Sequence, residues 1–188
     1  MVRLPISTPP KPSLRTAPAE PDMTDNSSQS PQAPPVEWPR AIATVFGIGF
    51  ARVAPGTVAS LAALPVAWLV TYFGSRWGLL VLAILVSAVG AWACELYSRA
   101  KMDTDPSECV IDEVAGQLLV CAFCPAPPTL LAYFLAFVLF RVFDITKLWP
   151  VSEAENRIPG GLGIMADDIV AALMASIVIA VLAHLGIV

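Results

Sequence analysis

At 188 residues, with 56% hydrophobic and only 14% charged side chains, the chain carries far fewer charges than the roughly 25% of an ordinary soluble domain. Its formal net charge of −4 excludes the basic face that nucleic-acid binding requires. This is the composition of a membrane protein whose acids gather at a few points.

Residues 1–40 hold ten of the eighteen prolines among scattered Ser, Thr and Gln, a pattern that predicts a disordered cytoplasmic tail. No uninterrupted apolar core precedes Ile42, so a cleaved signal peptide is not expected. From residue 41 to 188 the pattern predicts an all-α, polytopic transmembrane helical bundle. Ala41 to Phe50 reads as a half-helix or interfacial piece leading into Pro55-Gly56.

A crossing helix needs about 17 to 25 apolar residues. Thr57 to Phe73 and Gly78 to Tyr97 meet that length and are joined tightly through Gly74-Ser75-Arg76-Trp77. A third segment, Val114 to Phe123, is short unless its helix begins near Cys109, and it stops at Pro125-Ala126-Pro127-Pro128. Thr129 to Phe143 forms a fourth helix and Ile164 to Val188 a fifth, giving about five spans.

With alternating spans, Arg3, Lys11, Arg15, Arg40, Arg52, Arg99, Lys101, Arg141, Lys147 and Arg157 fall on one side and only Arg76 on the other. The positive-inside rule makes the crowded side cytoplasmic. Cys121-Ala-Phe-Cys124 has the spacing of half a zinc site but no second pair, so the four cysteines read as small buried apolar residues. His184, the one histidine, lies far away at a helix end.

The same alternation brings three polar stretches to the crowded side: Gly47 to Ser60, Asp105 to Gly116, and Arg141 to Asp168. Asp112, Glu113, Asp144, Asp167 and Asp168 are hard oxygen donors of the kind that suit Mg²⁺, which takes one or two carboxylates and leaves room for water and a phosphate. Arg52, Arg141 and Lys147 can meet phosphate oxygens. Thr57 and Ser60 lie within one turn of each other, and Pro55-Gly56-Thr57 and Gly160-Gly161-Leu162-Gly163 open helices whose free N–H groups favour anions. A metal with cations points to a phosphate substrate. Each feature also has a plain structural reading: the paired acids as helix-start residues, Asp144 with Lys147 as an i,i+3 ion pair, Thr57 as a cap. Glu95, Asp103, Glu153 and Glu155 read as solvated interface charges.

Ala54-Pro-Gly-Thr57 with Ser60, Asp112-Glu113 with Gly116, Phe140-Arg-Val-Phe-Asp144-Ile with Lys147, and Gly160-Gly-Leu-Gly-Ile-Met165-Ala-Asp167-Asp168 together resemble the phosphatidylglycerophosphatase A family of bacterial inner-membrane lipid phosphatases. The resemblance covers roughly residues 41 to 185. One departure is Lys147-Leu148-Trp149-Pro150, where the family commonly reads Lys-Pro-x-Pro; it removes no chemical group.

The resemblance implies Mg²⁺-assisted hydrolysis of the terminal phosphate monoester of phosphatidylglycerophosphate to phosphatidylglycerol and phosphate. Some of Asp112, Glu113, Asp144, Asp167 and Asp168 would hold the metal and one would act as general base. Arg52, Thr57, Ser60, Arg141, Lys147, Gly160 and Gly161 would receive the phosphate, while the diacylglycerol part stays in the bilayer. The competing readings are a phosphatase for another lipid phosphate such as phosphatidic acid, and a non-enzymatic ion carrier or scaffold. A carrier places ionisable groups near mid-bilayer in broken helices, whereas these acids cluster on one side. An aspartyl-phosphate route through Asp103-Thr-Asp105 lacks the β-strand that should precede it.

Overall fold

The computed structural model describes residues 37–151 and 160–188. Among them are six α-helices and no strand: α1 (Glu37–Ala43), α2 (Pro55–Phe73), α3 (Arg76–Lys101), α4 (Ile111–Ala122), α5 (Leu130–Thr146) and α6 (Gly161–His184). Residues 1–36, with most of the expected tail, lie outside the described residues, as do Glu153, Glu155 and Arg157. The last four residues of that expected tail, Glu37 to Arg40, instead open α1.

Local sequence sets the helix ends. Pro55 occupies the first turn of α2, where its missing N–H is no loss. Ser75 caps α3 by accepting the Gly78 N–H at 3.2 Å, and Thr129 caps α5 by accepting that of Ala132 at 3.1 Å. Between α1 and α2, Val45, Phe46 and Gly47 take three consecutive left-handed conformations, and a 3-10 turn follows at Ile48–Phe50.

Three helices are long and apolar enough to cross a membrane: α2, α3 and α6, of 19, 26 and 24 residues. The other two expected spans fall short of that mark. At 1.5 Å per residue, the 17 residues of α5 reach about 25 Å and the 12 of α4 about 18 Å, against a hydrocarbon core of about 30 Å.

The short helix is the centre of the bundle. Nine of its twelve residues are buried, and α2, α3, α5 and α6 all pack around it. Close approach depends on small side chains, as expected where lipid-like surroundings leave packing rather than hydrophobicity to drive helix association. Alpha-2 presents Gly56, Ala59, Ser60, Ala63 and Ala67 inward, and α6 presents Ala171, Ala172, Ala175 and Ser176. At Gly116 on α4 a Cβ would sit 2.6 Å from the Phe140 ring and 3.3 Å from the Asp168 carbonyl. Only glycine lets the three helices meet there.

Consecutive helices run in alternate directions. The start of α2, the end of α3, the start of α4, the end of α5 and the start of α6 gather at one end of the bundle, through contacts among Gly56, Glu113, Arg141, Asp144, Glu95 and Gly161. At the other end Arg76, Trp77, Ala122, Cys124 and Ala183 share one surface. The start of α4 is set deep. A Cβ at Gly90 of α3 would lie 3.1 Å from Ile111, and Gly90 precedes the end of α3 by eleven residues, about 16 Å.

Candidate functional site

Alpha-5 buries Ala132, Ala136, Phe140 and Asp144, a fourfold spacing that puts all of them on one face. The carboxylate of Asp144 is therefore carried into the bundle by the stripe that packs the helix. There it meets Glu113 from the first turn of α4 and Asp168 from the second turn of α6. Ligand oxygens of Glu113, Asp144 and Asp168 all lie within 4.8 Å of one another.

Arg141 ties this group together. Its Nη1 pairs with Glu113 Oε2 and lies 2.8 Å from Asp144 Oδ2. All three side chains are at most 16% exposed. Ser60 Oγ donates to the Gly56 carbonyl at 3.0 Å and lies 3.3 Å from Glu113 Oε2. A Cβ at Gly56 would overlap the Glu113 carboxylate itself, so the glycine opens the space in which that carboxylate sits.

Asp112 and Asp167 stand beside the trio. Each accepts the backbone N–H of the next residue at 3.0 Å, and Lys147 Nζ lies 3.5 Å from Asp167 Oδ2. The five acids with Lys147, Gly160, Gly163, Asp105, Ser107 and Thr104 line a cavity of about 470 Å³. Small-molecule sites fall in the range of about 300 to 1,000 Å³, so a phosphorylated headgroup fits this one in size.

The trio suits a divalent cation. Three carboxylates so close repel one another unless a proton or a cation lies between them, and Arg141 supplies one positive charge against three negative ones. Asp168 Oδ2 is buried with no hydrogen-bond partner, a costly state for a carboxylate oxygen that ligation would relieve. All donors are hard oxygens, the set that selects Mg²⁺, Ca²⁺ or Mn²⁺ over softer-ligand metals.

Several expected phosphate contacts are placed elsewhere. Arg52 is exposed and does not line the cavity; Thr57 is half-buried and does not line it either. Ser60 and Arg141 face Glu113 rather than the open space. The Gly161 N–H is not available to an anion, because Glu95 Oε2 of α3 accepts it at 2.5 Å. Glu95 remains partly exposed, yet with Arg99 at 2.5 Å on its other oxygen it also caps α6 from a neighbouring helix. The i,i+3 partner of Asp144 is Arg141, while Lys147 reaches across to Asp167. Lys147 and Gly160 remain at the cavity as expected.

Asp105, Ser107 and Thr104 are cavity residues that the sequence reading did not select. Their signal was the polar run itself, at the side where the other acids gather. The segment between α3 and α4 is held by Glu108, which accepts from Lys101 Nζ at 2.5 Å and from the Tyr97 hydroxyl at 2.8 Å. Hydrogen bonding from Lys101, with a further bond from Tyr97, keeps the Glu108 carboxyl below its ordinary value despite partial burial.

The family model for phosphatidylglycerophosphatase A matches residues 41–183, a stretch that contains every helix of the site. The chain belongs to the phosphatidylglycerophosphatase A family. A protein of that name from Escherichia coli K12 is 33% identical over 146 residues, covering 76% of this chain and 82% of the relative. Another, from Haemophilus influenzae, is 33% identical over 140 residues, covering 73% and 84%. A Bacteroides thetaiotaomicron protein with the provisional name phosphatidylinositol-3-phosphatase is 36% identical over 149 residues, covering 76% and 92%. No solved structure matches the chain. Membership of this phosphatase family gives the acid-lined cavity an enzymatic context and removes the carrier and scaffold readings.

Proposed function

We propose that the protein is a Mg²⁺-dependent phosphatase that converts phosphatidylglycerophosphate to phosphatidylglycerol and phosphate. The observation that carries this reading is the convergence of Glu113, Asp144 and Asp168 within 4.8 Å at the base of a headgroup-sized cavity. Two relatives bear the name of this activity, which supports phosphatidylglycerophosphate over other lipid phosphates.

Glu113, Asp144 and Asp168 would hold the ion. When bound there, Mg²⁺ neutralises phosphoryl charge and makes a bound water more acidic. Arg141 keeps Glu113 and Asp144 at fixed separation, and Ser60 steadies Glu113. Lys147 offsets charge on the phosphoryl oxygens from the side of the cavity. Asp167 pairs with Lys147, and Asp112, beside the trio at the start of α4, would accept the proton of the attacking water. The water oxygen bonds to phosphorus, the bond from phosphorus to the glycerol oxygen breaks, and that oxygen leaves to be protonated by solvent.

All five helices α2 to α6 cross in this reading, with α4 and α5 shielded or extended by their neighbours. Among the described residues, Arg40, Arg52, Arg99, Lys101, Arg141 and Lys147 lie toward the site end and Arg76 at the other. That asymmetry supports a site on the cytoplasmic face of a bacterial inner membrane.

The test is phosphate release in detergent micelles with Mg²⁺, comparing phosphatidylglycerophosphate, phosphatidic acid and phosphatidylinositol 3-phosphate at equal surface concentration. The expected order puts phosphatidylglycerophosphate first in kcat/KM. Preference for the inositol lipid would overturn the substrate, and no release from any of the three would overturn the phosphatase reading.

A further inference from the structure

Besides the acid-lined cavity, the described residues contain an apolar groove of about 500 Å³ on the side of the bundle, between α2 and α5. It is walled by Leu61, Leu64, Pro65 and Trp68 of α2 and by Leu130, Tyr133, Phe134 and Phe137 of α5. We infer that this groove seats one acyl chain of the phosphorylated lipid whose headgroup occupies the cavity. The inference rests on the lipid-phosphatase reading above and assigns the half of the substrate that the acids do not touch.

The groove begins beside residues of the site on both helices. Leu61 follows Ser60, which touches Glu113. Phe137 precedes Arg141 by four residues, one turn on the same face, and Arg141 pairs with Glu113 and Asp144. A chain entering the groove at Leu61 and Phe137 is therefore within a turn of the cation-binding trio. Toward the opposite end the two helices are tied by Tyr133. Tyr133 hydroxyl bridges to Thr71 Oγ1 at 2.9 Å and donates to the Ala67 carbonyl at 3.3 Å, and its ring meets Trp68 edge-on at 5.4 Å.

Between those ends Leu61 to Trp68 and Leu130 to Phe137 each advance seven residues, about 10 Å of helix. One wall of the groove carries a proline. Pro65 lies inside α2, where its ring removes the N–H that would bond the Leu61 carbonyl and bends a helix away from that point. Alpha-2 and α5 share a smaller interface than either shares with α4. A lipid chain is the ligand that such a slot takes: lined almost wholly by carbon, open sideways where bilayer surrounds the helices, and beginning beside the headgroup site.

The experiment uses the full chain in phosphatidylcholine nanodiscs with phosphatidylglycerophosphate carrying a photoreactive diazirine midway along one acyl chain. Labelled residues are mapped by mass spectrometry. A phosphatidylcholine bearing the same diazirine reports ordinary lipid contact. The expected result is labelling concentrated on Leu61 to Trp68 and Leu130 to Phe137 with the phosphorylated probe, competed by unlabelled phosphatidylglycerophosphate and reduced at least fivefold in Leu64→Trp. Ile177→Trp, on an exposed apolar position of α6, should leave the labelling unchanged.

Equal labelling by both probes, or labelling indifferent to Leu64→Trp in a variant that purifies and melts like wild type, overturns the inference. Phosphate release measured on the same samples separates the two claims. Release without groove labelling sinks the groove alone; groove labelling without release sinks the phosphatase reading alone.

Discussion

Glu95 of α3 accepts the backbone N–H of Gly161 at 2.5 Å, so the first turn of α6 is capped by a carboxylate 66 residues earlier in the chain. The cap lies seven residues before Asp168 on the same helix, and it fixes where that helix starts against α3. A Cβ on Gly161 would strike the Ala91 carbonyl and come within 2.6 Å of the Glu95 nitrogen. The contact therefore demands both the acid and the glycine.

Glu95→Ala should lower stability by about 1 kcal/mol, the usual loss when a helix-start N–H loses its side-chain partner. It should also reduce kcat by about tenfold, as expected when support for a positioned group loosens. Thermal unfolding in detergent and steady-state phosphate release check the two effects. Wild-type values for both would show that the cap positions nothing.

Arg141→Ala removes the cation that holds Glu113 and Asp144 together. Breaking a buried pair by deleting one partner typically costs about 3 to 5 kcal/mol, so the variant should melt well below wild type and should regain part of that loss in high Mg²⁺. Arg141→Lys keeps the charge without the planar fork and should fall between the two. A melting temperature independent of Mg²⁺ in Arg141→Ala would contradict a cation site at Glu113, Asp144 and Asp168.

Gly56→Ala and Gly116→Ala separate site from scaffold. At Gly56 the added carbon meets the mobile end of Glu113. The fold should survive while activity drops by about tenfold or more through displacement of that ligand. At Gly116 it meets the buried Phe140 ring at 2.6 Å, so overpacking should cost about 1 to 3 kcal/mol. Melting curves paired with Mg²⁺ titrations distinguish the two outcomes.

The pH response of the segment between α3 and α4 follows from Glu108. Its carboxyl lies below the ordinary value of 4.5, chiefly through the Lys101 hydrogen bond. A lowered folded-state pKa contributes stability that is present above the unfolded value and is lost as pH falls through the folded one. The Tm gap between wild type and Glu108→Gln should accordingly be full near neutral pH and close as pH is taken below 4.5. A gap that persists unchanged in acid would assign the effect to packing.

Much of this arrangement is legible in the sequence because apolar run lengths and polar interruptions report helices and their ends directly. All five apolar runs became helices, and the three polar stretches did meet at one end. What the sequence could not show is rotation. Asp112 and Glu113 are adjacent, as are Asp167 and Asp168, and neighbours on a helix point about 100° apart. Only one of each pair faces Asp144, and helix packing decides which: Glu113 and Asp168. Glu95 was misread for a related reason, since its partner is a backbone N–H brought near by the fold. Arg141 and Ser60 are residues of the right type at the right end, yet they serve Glu113 and not the open cavity. Of the five expected spans, α2, α3 and α6 are long and apolar enough to cross a membrane, while α4 and α5 are shorter, and α4 is buried at the centre of the bundle.

The most direct measurement is phosphate release from phosphatidylglycerophosphate as Mg²⁺ is varied, with wild type beside Glu113→Gln, Asp144→Asn and Asp168→Asn purified to matched melting behaviour. Wild type should show saturable dependence on Mg²⁺ and lose activity in EDTA. Each variant should lose about 10³-fold or more in kcat/KM, as when a group acting on the transition state is removed. Activity that survives EDTA, or any of the three variants retaining near wild-type turnover, would contradict a cation held by this trio as the centre of the chemistry.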